Sequence, residues 1–297
     1  MSLMRKVLLA GSTNAWLRDR ATRAAFVQRS VRKFMPGERI EDALRAAEEL
    51  KPAGITTILT ALGENLTRPE EAEAVTQHYL EVFDKVAAAG LDAHVSVKPT
   101  QLGLDLDRAM CERNNFLWID MEYSRYVDPT LQLYRRARAR SARIGIALQA
   151  YLYRTAADVE ALLPLGPAVR VVKGAYLEPP DVAFPKKADV DDNFYELCVR
   201  LMSPEAQRAG TLQHIATHDA ALADRLAAYA KEHDVPSSAY EFAMLYGIGV
   251  GQQKRLAAEG KRLRVLISYG EYWFPWYMRR LAERPANVWF VMRNLFS

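Results

Sequence analysis

Eight short apolar runs recur along the chain, and their spacing constrains the fold more than any other feature. They are Gly54–Thr60, Ala93–Lys98, Phe116–Asp120, Arg143–Gln149, Ala168–Lys173, Leu212–Thr217, Ser237–Ala243 and Arg264–Ser268, and successive starts lie 23 to 44 residues apart. Each interval has room for one strand, one helix and two loops. The stretches between read as helices. Pro69–Ala89, Pro129–Arg140, Thr155–Leu163, Ala220–Glu232 and Gly251–Glu259 are rich in Ala and Leu, with charges on alternate turns. Gly90 and Gly260 stand where helix C-caps are expected. Eight such units in 297 residues, without a linker or composition break, predict one α/β domain over 1–297. The expected fold is a (β/α)8 barrel with a helical N-terminal segment over 1–50 and a C-terminal helix above the strand ends. A doubly wound sheet usually has fewer repeats and a Gly-rich first turn, whereas Leu59-Thr-Ala-Leu-Gly63-Glu64 offers one glycine. Residues 177–192 are expected to form the longest loop, placed to act as a lid.

Composition excludes several classes. The charge of +4, from 40 basic and 36 acidic residues, is too mild to argue for nucleic acid. The densest basic run, Arg135 to Arg143, alternates with Ala and carries no aromatics, as a solvated helix face does. Cys111 and Cys198 form no metal or redox spacing, which points to a reducing, cytoplasmic setting. No apolar stretch approaches the length of a membrane span.

In a barrel of this kind, active residues gather at the C-terminal ends of the strands. Those ends read Lys98, Asp120 with Glu122, Gln149, Arg170 and Lys173 followed by Gly174-Ala-Tyr176, Thr217-His218-Asp219, and Glu241. Charges inside apolar runs are costly unless paired or used. A site lined this way should bind something polar and elongated. Plainer readings stand beside it. Lys98, before Pro99, could simply end its strand. Arg170 and Val172 share one strand face, Val171 and Lys173 the other. One charge must therefore point into the barrel or its mouth, where a buried counter-ion role to Asp120 would account for it. His214 and His218 have a helical metal-ligand spacing, but on a strand they would lie roughly 13 Å apart, so no metal is expected. Gly247-Ile-Gly249-Val-Gly251 is followed by Gln252 where a dinucleotide fingerprint needs its third glycine, and reads as a turn.

The C-terminal stretch adds Arg279-Arg280-Leu-Ala-Glu283 on a short aromatic helix. Adjacent helix positions point about 100° apart, so the two arginines can converge on one anion only from a wall beside it. Glu283 lies three and four positions on and can hold either guanidinium, and Trp276 precedes them on the same face. Such a clamp suits a small carboxylate beside a flat apolar surface. An exposed ion pair on a surface helix is the plainer alternative.

Taken together, Val169-Arg170-Val-Val-Lys173-Gly174-Ala-Tyr176, Ala216-Thr217-His218-Asp219, Tyr240-Glu241-Phe242 through Gly247, and Arg279-Arg280-Leu-Ala-Glu283 resemble the proline dehydrogenase family. The resemblance is closest to its short, monofunctional bacterial members and runs from about residue 5 to the C-terminus. It implies a (β/α)8 barrel that holds FAD non-covalently and oxidises L-proline to Δ1-pyrroline-5-carboxylate. It implies that Arg279 and Arg280 pair with the substrate carboxylate, assisted by Lys98 and oriented by Glu283. Arg170 would donate toward flavin N5, and Gln149 would contact the isoalloxazine edge. Lys173 and Gly174, with Val172 beside them, would meet the ribityl and phosphate part, and Thr217 and His218 the adenosine half. Asp120, Tyr176 and Leu245 would line the substrate pocket. Electrons would pass to a quinone or another acceptor at the membrane surface. Two positions depart from the family pattern. Its strand-eight Arg-x-Tyr is Arg264-Val-Leu266 here, and its Tyr three residues before the first arginine is Trp276. Other readings are a dehydrogenase for a different or N-substituted cyclic amino acid, a barrel without turnover that binds a ligand, and a phosphate-handling aldolase or isomerase using Lys173 as a Schiff-base lysine.

Overall fold

The computed structural model describes residues 14–23, 25–63 and 68–283. Eight parallel strands close a barrel in chain order: β1 (Thr56–Ala61), β2 (Ala93–Val97), β3 (Leu117–Ile119), β4 (Ile144–Gln149), β5 (Ala168–Val172), β6 (Leu212–Ala216), β7 (Tyr240–Leu245) and β8 (Leu263–Tyr269). The barrel expected from the spacing of the apolar runs is the fold observed. Helices α1 (Ala15–Arg23), α2 (Ala25–Val31) and α3 (Ile40–Leu50) precede β1. Between strands run α4 (Pro69–Ala88), α5 (Arg108–Glu112), α6 (Val127–Arg138), α7 (Thr155–Leu162), α8 (Lys187–Leu201), α9 (Pro204–Arg208), α10 (Ala220–Glu232) and α11 (Val250–Ala258), and α12 (Trp273–Glu283) follows β8.

Parallel strands buried on both faces read as continuous apolar runs, which is why they were legible. Their two faces nonetheless differ. Leu59, Val95, Ile119, Ile146, Val171 and Ile267 belong to the core between strands and helices. The alternate residues Ile58, Trp118 and Ala168 form a separate cluster in the bore, with Phe116, Leu212 and Leu266 packed against it.

Below that cluster the bore holds a charged floor. Arg264 Nε donates to Glu241 Oε2 at 2.7 Å, both side chains being 3% exposed, and Arg262 also pairs with Glu241. This corrects the expectation for Glu241. Residues Ser237–Ala239 form a 3-10 turn, so β7 starts at Tyr240 and Glu241 stands at its beginning, away from the strand ends.

The stretch 177–192 is also corrected. Its last residues enter α8, which starts at Lys187. What precedes is fastened on two sides. Glu178 accepts from Ser124 N at 2.6 Å and Ser124 Oγ at 2.7 Å, and Leu152 bridges Ala183 while Phe184 N donates to Tyr151 O.

The N-terminal helices serve α12. Val27, Val31 and Met35 pack with Trp273, Phe274, Tyr277, Met278 and Leu281 in a core separate from the barrel's own. Tyr277 Oη donates to Ser30 Oγ at 2.7 Å, and Trp273 Nε1 to Glu38 Oε1 at 3.0 Å. Gly247 lets this segment approach: a Cβ there would lie 1.6 Å from Lys33 O, and its φ is +71°.

Candidate active site

The strand ends open into one cavity of about 1620 Å3. It is lined by Lys98, Asp120, Gln149, Arg170, Val172, Lys173, Gly174, Tyr176, Thr217, His218, Leu245, Leu266, Trp276, Arg279 and Arg280. Fifteen of the sixteen residues named through the family resemblance therefore meet in one place, although they come from seven strands or strand ends and a terminal helix. Of the other strand-end groups read from sequence, Asp219 lines the cavity too, whereas Glu122 and Glu241 do not. The sixteenth, Glu283, ends α12, and its side chain lies outside the described residues.

Three of the cations that line the cavity are expected to act together. Lys98 follows β2 and is buried, at 6% exposure. Arg279 is 9% exposed and lies with Cζ 5.2 Å from the Tyr176 ring centroid. Arg280 lies with Cζ 6.0 Å from the Trp276 ring. The arginine pair is thus part of a cavity wall, and the surface-ion-pair alternative does not hold for it. A guanidinium over an aromatic face is attracted to the ring and is a planar fork whose shape matches a carboxylate. Leu266 and Trp276, the two departures, line this same cavity.

At the bore, Arg170 Nη2 donates to Ser96 Oγ at 2.9 Å and to Asp120 Oδ1, and Ser96 Oγ donates to the same Oδ1 at 2.9 Å. The counter-ion relation suspected from sequence is real. It leaves one group unused, because Arg170 Nη1 is buried and has no hydrogen-bond partner. A buried donor without a partner is costly, which marks Nη1 as a point where a ligand atom would be received. Burial pulls the guanidinium pKa down and Asp120 opposes that pull. Gln149 Nε2 donates to Glu122 O at 2.8 Å, which fixes the amide at the next strand end. Glu122 itself accepts from Thr100 N and Oγ1 at 3.0 and 2.7 Å, so its role is to hold the loop after β2.

On the far side, Lys173 Nζ donates to Asp191 Oδ1 at 2.6 Å and lies 3.6 Å from Asp219 Oδ2. Burial alone would raise the pKa of Asp191, but hydrogen bonds from Lys173 and Lys187 bring it below the ordinary carboxylate range. A Schiff-base lysine needs an unengaged amine, and Lys173 is held by carboxylates instead. Gly174 follows at φ +109°, where a Cβ would come within 2.3 Å of Tyr151 Cδ1. Backbone and ring leave no room there for a side chain, so glycine is what lets the Tyr151 ring pack against the main chain at the cavity wall. Thr217 Oγ1 accepts from Asp219 N at 3.1 Å, and His218 Nε2 accepts from Leu245 N at 3.3 Å. His214, by contrast, sits on the barrel floor with its ring 4.1 Å from that of Trp118.

Sequence reasoning missed Ser96, Tyr151 and Asp191. Ser96 is a lone hydroxyl in an apolar strand, and no local pattern distinguishes it. Asp191 falls in the stretch read as loop.

A cavity of about 1620 Å3 exceeds what one amino acid fills. The orphan Nη1 and the cations and amide that line the cavity with it fit a dinucleotide laid along the strand ends, with a small anion beside it.

Comparison with known proteins adds independent findings. Residues 43–293 match the family model described as proline dehydrogenase. The chain is 36% identical over 312 residues to proline dehydrogenase 1 of Bacillus subtilis (strain 168), covering 99% of this chain and all of the relative. It is 36% identical over 282 residues to proline dehydrogenase of Deinococcus radiodurans, covering 89% of each. Among solved structures, proline utilization A from Bdellovibrio bacteriovorus, inactivated by N-propargylglycine, superposes with a TM-score of 0.80 at 23% identity. That match covers 94% of this chain and 36% of the other, so the chain spans about a third of that protein's length and the likeness speaks to fold. Among the described residues, no helix is long and apolar enough to cross a membrane.

Proposed function

The chain belongs to the proline dehydrogenase family, and from that premise we propose that it oxidises L-proline to Δ1-pyrroline-5-carboxylate with FAD held along the strand ends. The observation that carries the reading is the meeting, in one cavity, of an arginine pair stacked on aromatics with a buried guanidinium that has one unused donor. FAD, when bound, would supply the acceptor for the two electrons and the hydrogen that leave the substrate.

The protein's share is positional. Arg279, Arg280 and Lys98 would pair with the substrate carboxylate, and Tyr176, Leu245, Leu266 and Trp276 would hold its ring. With the carboxylate fixed, the ring CH2 next to nitrogen is placed for loss of hydride, while the lone pair of the amine, arriving or made neutral, forms the C=N bond and the remaining N–H proton is released to give the imine. Such placement is where effective molarity arises. Arg170 Nη1, Gln149, Val172, Lys173 and Gly174 would receive the flavin and its chain, with Thr217 and His218 along the adenosine half. A quinone or another acceptor would take the electrons on, at or near a membrane surface.

A second reading, favoured by Leu266 and Trp276 on the cavity wall, is that a different or N-substituted cyclic amino acid is preferred to proline. A change in the shape of the wall alters ring selectivity by about 1–3 kcal/mol, and loss of a hydroxyl that reads a polar substrate group alters it more sharply, while the carboxylate clamp is retained. Purified protein is expected to show a flavin spectrum that bleaches anaerobically on adding L-proline. Bleaching by another cyclic amino acid but not by proline selects the second reading. Protein that binds no flavin contradicts both.

A further inference from the structure

Arg170, Asp120 and Ser96 come from β5, the end of β3 and β2, and they meet in the bore as a closed triangle of hydrogen bonds. Ser96 is the vertex that uses both of its capacities. It accepts from Arg170 Nη2 at 2.9 Å and donates to Asp120 Oδ1 at 2.9 Å, and its side chain is fully buried. Both protein donors fall on Oδ1, so the triangle leaves Oδ2 to the cavity that Asp120 lines. On Arg170 it consumes Nη2 and leaves Nη1. A guanidinium is a rigid planar fork, so fixing one amino group and the plane fixes the direction of the other.

The plane is fixed from below. Arg170 Cζ lies 5.2 Å from the Trp118 ring, whose N–H donates to His94 Nδ1 at 3.1 Å. Gly145 makes room for that ring, because a Cβ there would lie 2.5 Å from Trp118 Cε3.

We propose that Ser96 is a positioning residue that locks Arg170 and Asp120 into one unit, aiming the guanidinium's remaining amino group at the cofactor and the carboxylate's second oxygen at the substrate. Without the hydroxyl, the Arg170–Asp120 pair keeps its Coulomb attraction but loses the bond that fixes its rotation. Placement is lost while charge is retained, and placement is what the reaction requires. The inference rests on the functional reading given above.

The test compares holoprotein variants Ser96→Ala and Ser96→Thr, reading flavin content, melting temperature, flavin midpoint potential and the anaerobic rate of flavin reduction by substrate. S96A is expected to keep its flavin and melting temperature, shift the potential, and lower the reduction rate at saturating substrate by about tenfold or more with little change in half-saturation. S96T, which keeps a hydroxyl on a strand-compatible side chain, is expected to restore most of the rate. S96A with the wild-type rate and potential overturns the proposal, as does an equal loss in both variants that tracks melting temperature. If S96A does not fold, the near-isosteric S96C, a weak donor and acceptor, should show the same loss, and a wild-type rate and potential in it overturns the proposal. Wild-type protein that binds no flavin, or is reduced by no cyclic amino acid, contradicts the functional reading and this inference together. A reducible wild type with an unimpaired S96A contradicts this inference alone.

Discussion

Two glycines and a leucine show how single residues shape the cavity. Gly174 combines φ +109° with a Tyr151 carbon 2.3 Å from the position of a Cβ, so Gly174→Ala must strain the backbone and move the ring. A cost of about 1–3 kcal/mol is expected, with weaker flavin retention measured by release on dilution. Gly145 plays the matching part under Trp118. Leu266 sets ring shape, and Leu266→Tyr should change the ratio of reduction rates for proline and a larger-ring amino acid by about 10- to 200-fold, with flavin content unchanged. An unaltered ratio would remove Leu266 from the ring pocket. At this scale the sequence was legible where charge interrupts an apolar run, as at Lys98, Asp120 and Arg170. It was silent at Ser96, whose partners are 24 and 74 residues away in the chain.

Among the elements, α12 carries both clamp arginines and is held from outside the barrel by α2 and the segment after it. Tyr277→Phe keeps the packing and removes the bond to Ser30, so stability should fall by about 1 kcal/mol in chemical denaturation, with weaker carboxylate binding because the arginines share that helix. Unchanged carboxylate binding would show that α12 needs no such support. The β-strands were readable because parallel, doubly covered strands are continuous apolar runs. β7 was read three residues early, since Ser237-Ser-Ala forms a turn whose composition continues the run, and this misplaced Glu241. The start of α8 was missed because Lys186, its N-cap, offers no side-chain cap and the first turn is charged. Contact between α2 and α12 joins segments far apart in sequence, as at Ser30 and Tyr277, 247 residues apart, which no local pattern reveals.

For the whole molecule, the buried floor and the open mouth divide stability from chemistry. Glu241 is the buried counter-ion of Arg264, whose other carboxylate partner, Asp92 at 3.0 Å, is exposed, so Glu241→Gln should cost about 3 kcal/mol in chemical denaturation. His94 and His214 share this floor. Burial, with the neighbouring arginine charges, holds both well below their ordinary value of 6.5, so the folded state keeps them neutral where the unfolded chain takes up protons. Their contribution is present in full above pH 6.5 and is lost as pH falls below it, by up to about 1.4 kcal/mol per pH unit for each histidine. Denaturation followed between about pH 7.5 and 5 should show that decline, and a flat profile would contradict it. The central claim concerns the mouth, where an anion clamp and a cofactor site share one cavity. Its most direct test is to titrate the flavin spectrum with a saturated five-membered ring carboxylate that lacks the amine. In the wild-type protein the spectrum should shift saturably, and in a variant carrying Arg279→Met and Arg280→Met the flavin should remain bound while the shift disappears. An identical shift in that variant, or none in the wild type, would contradict the account.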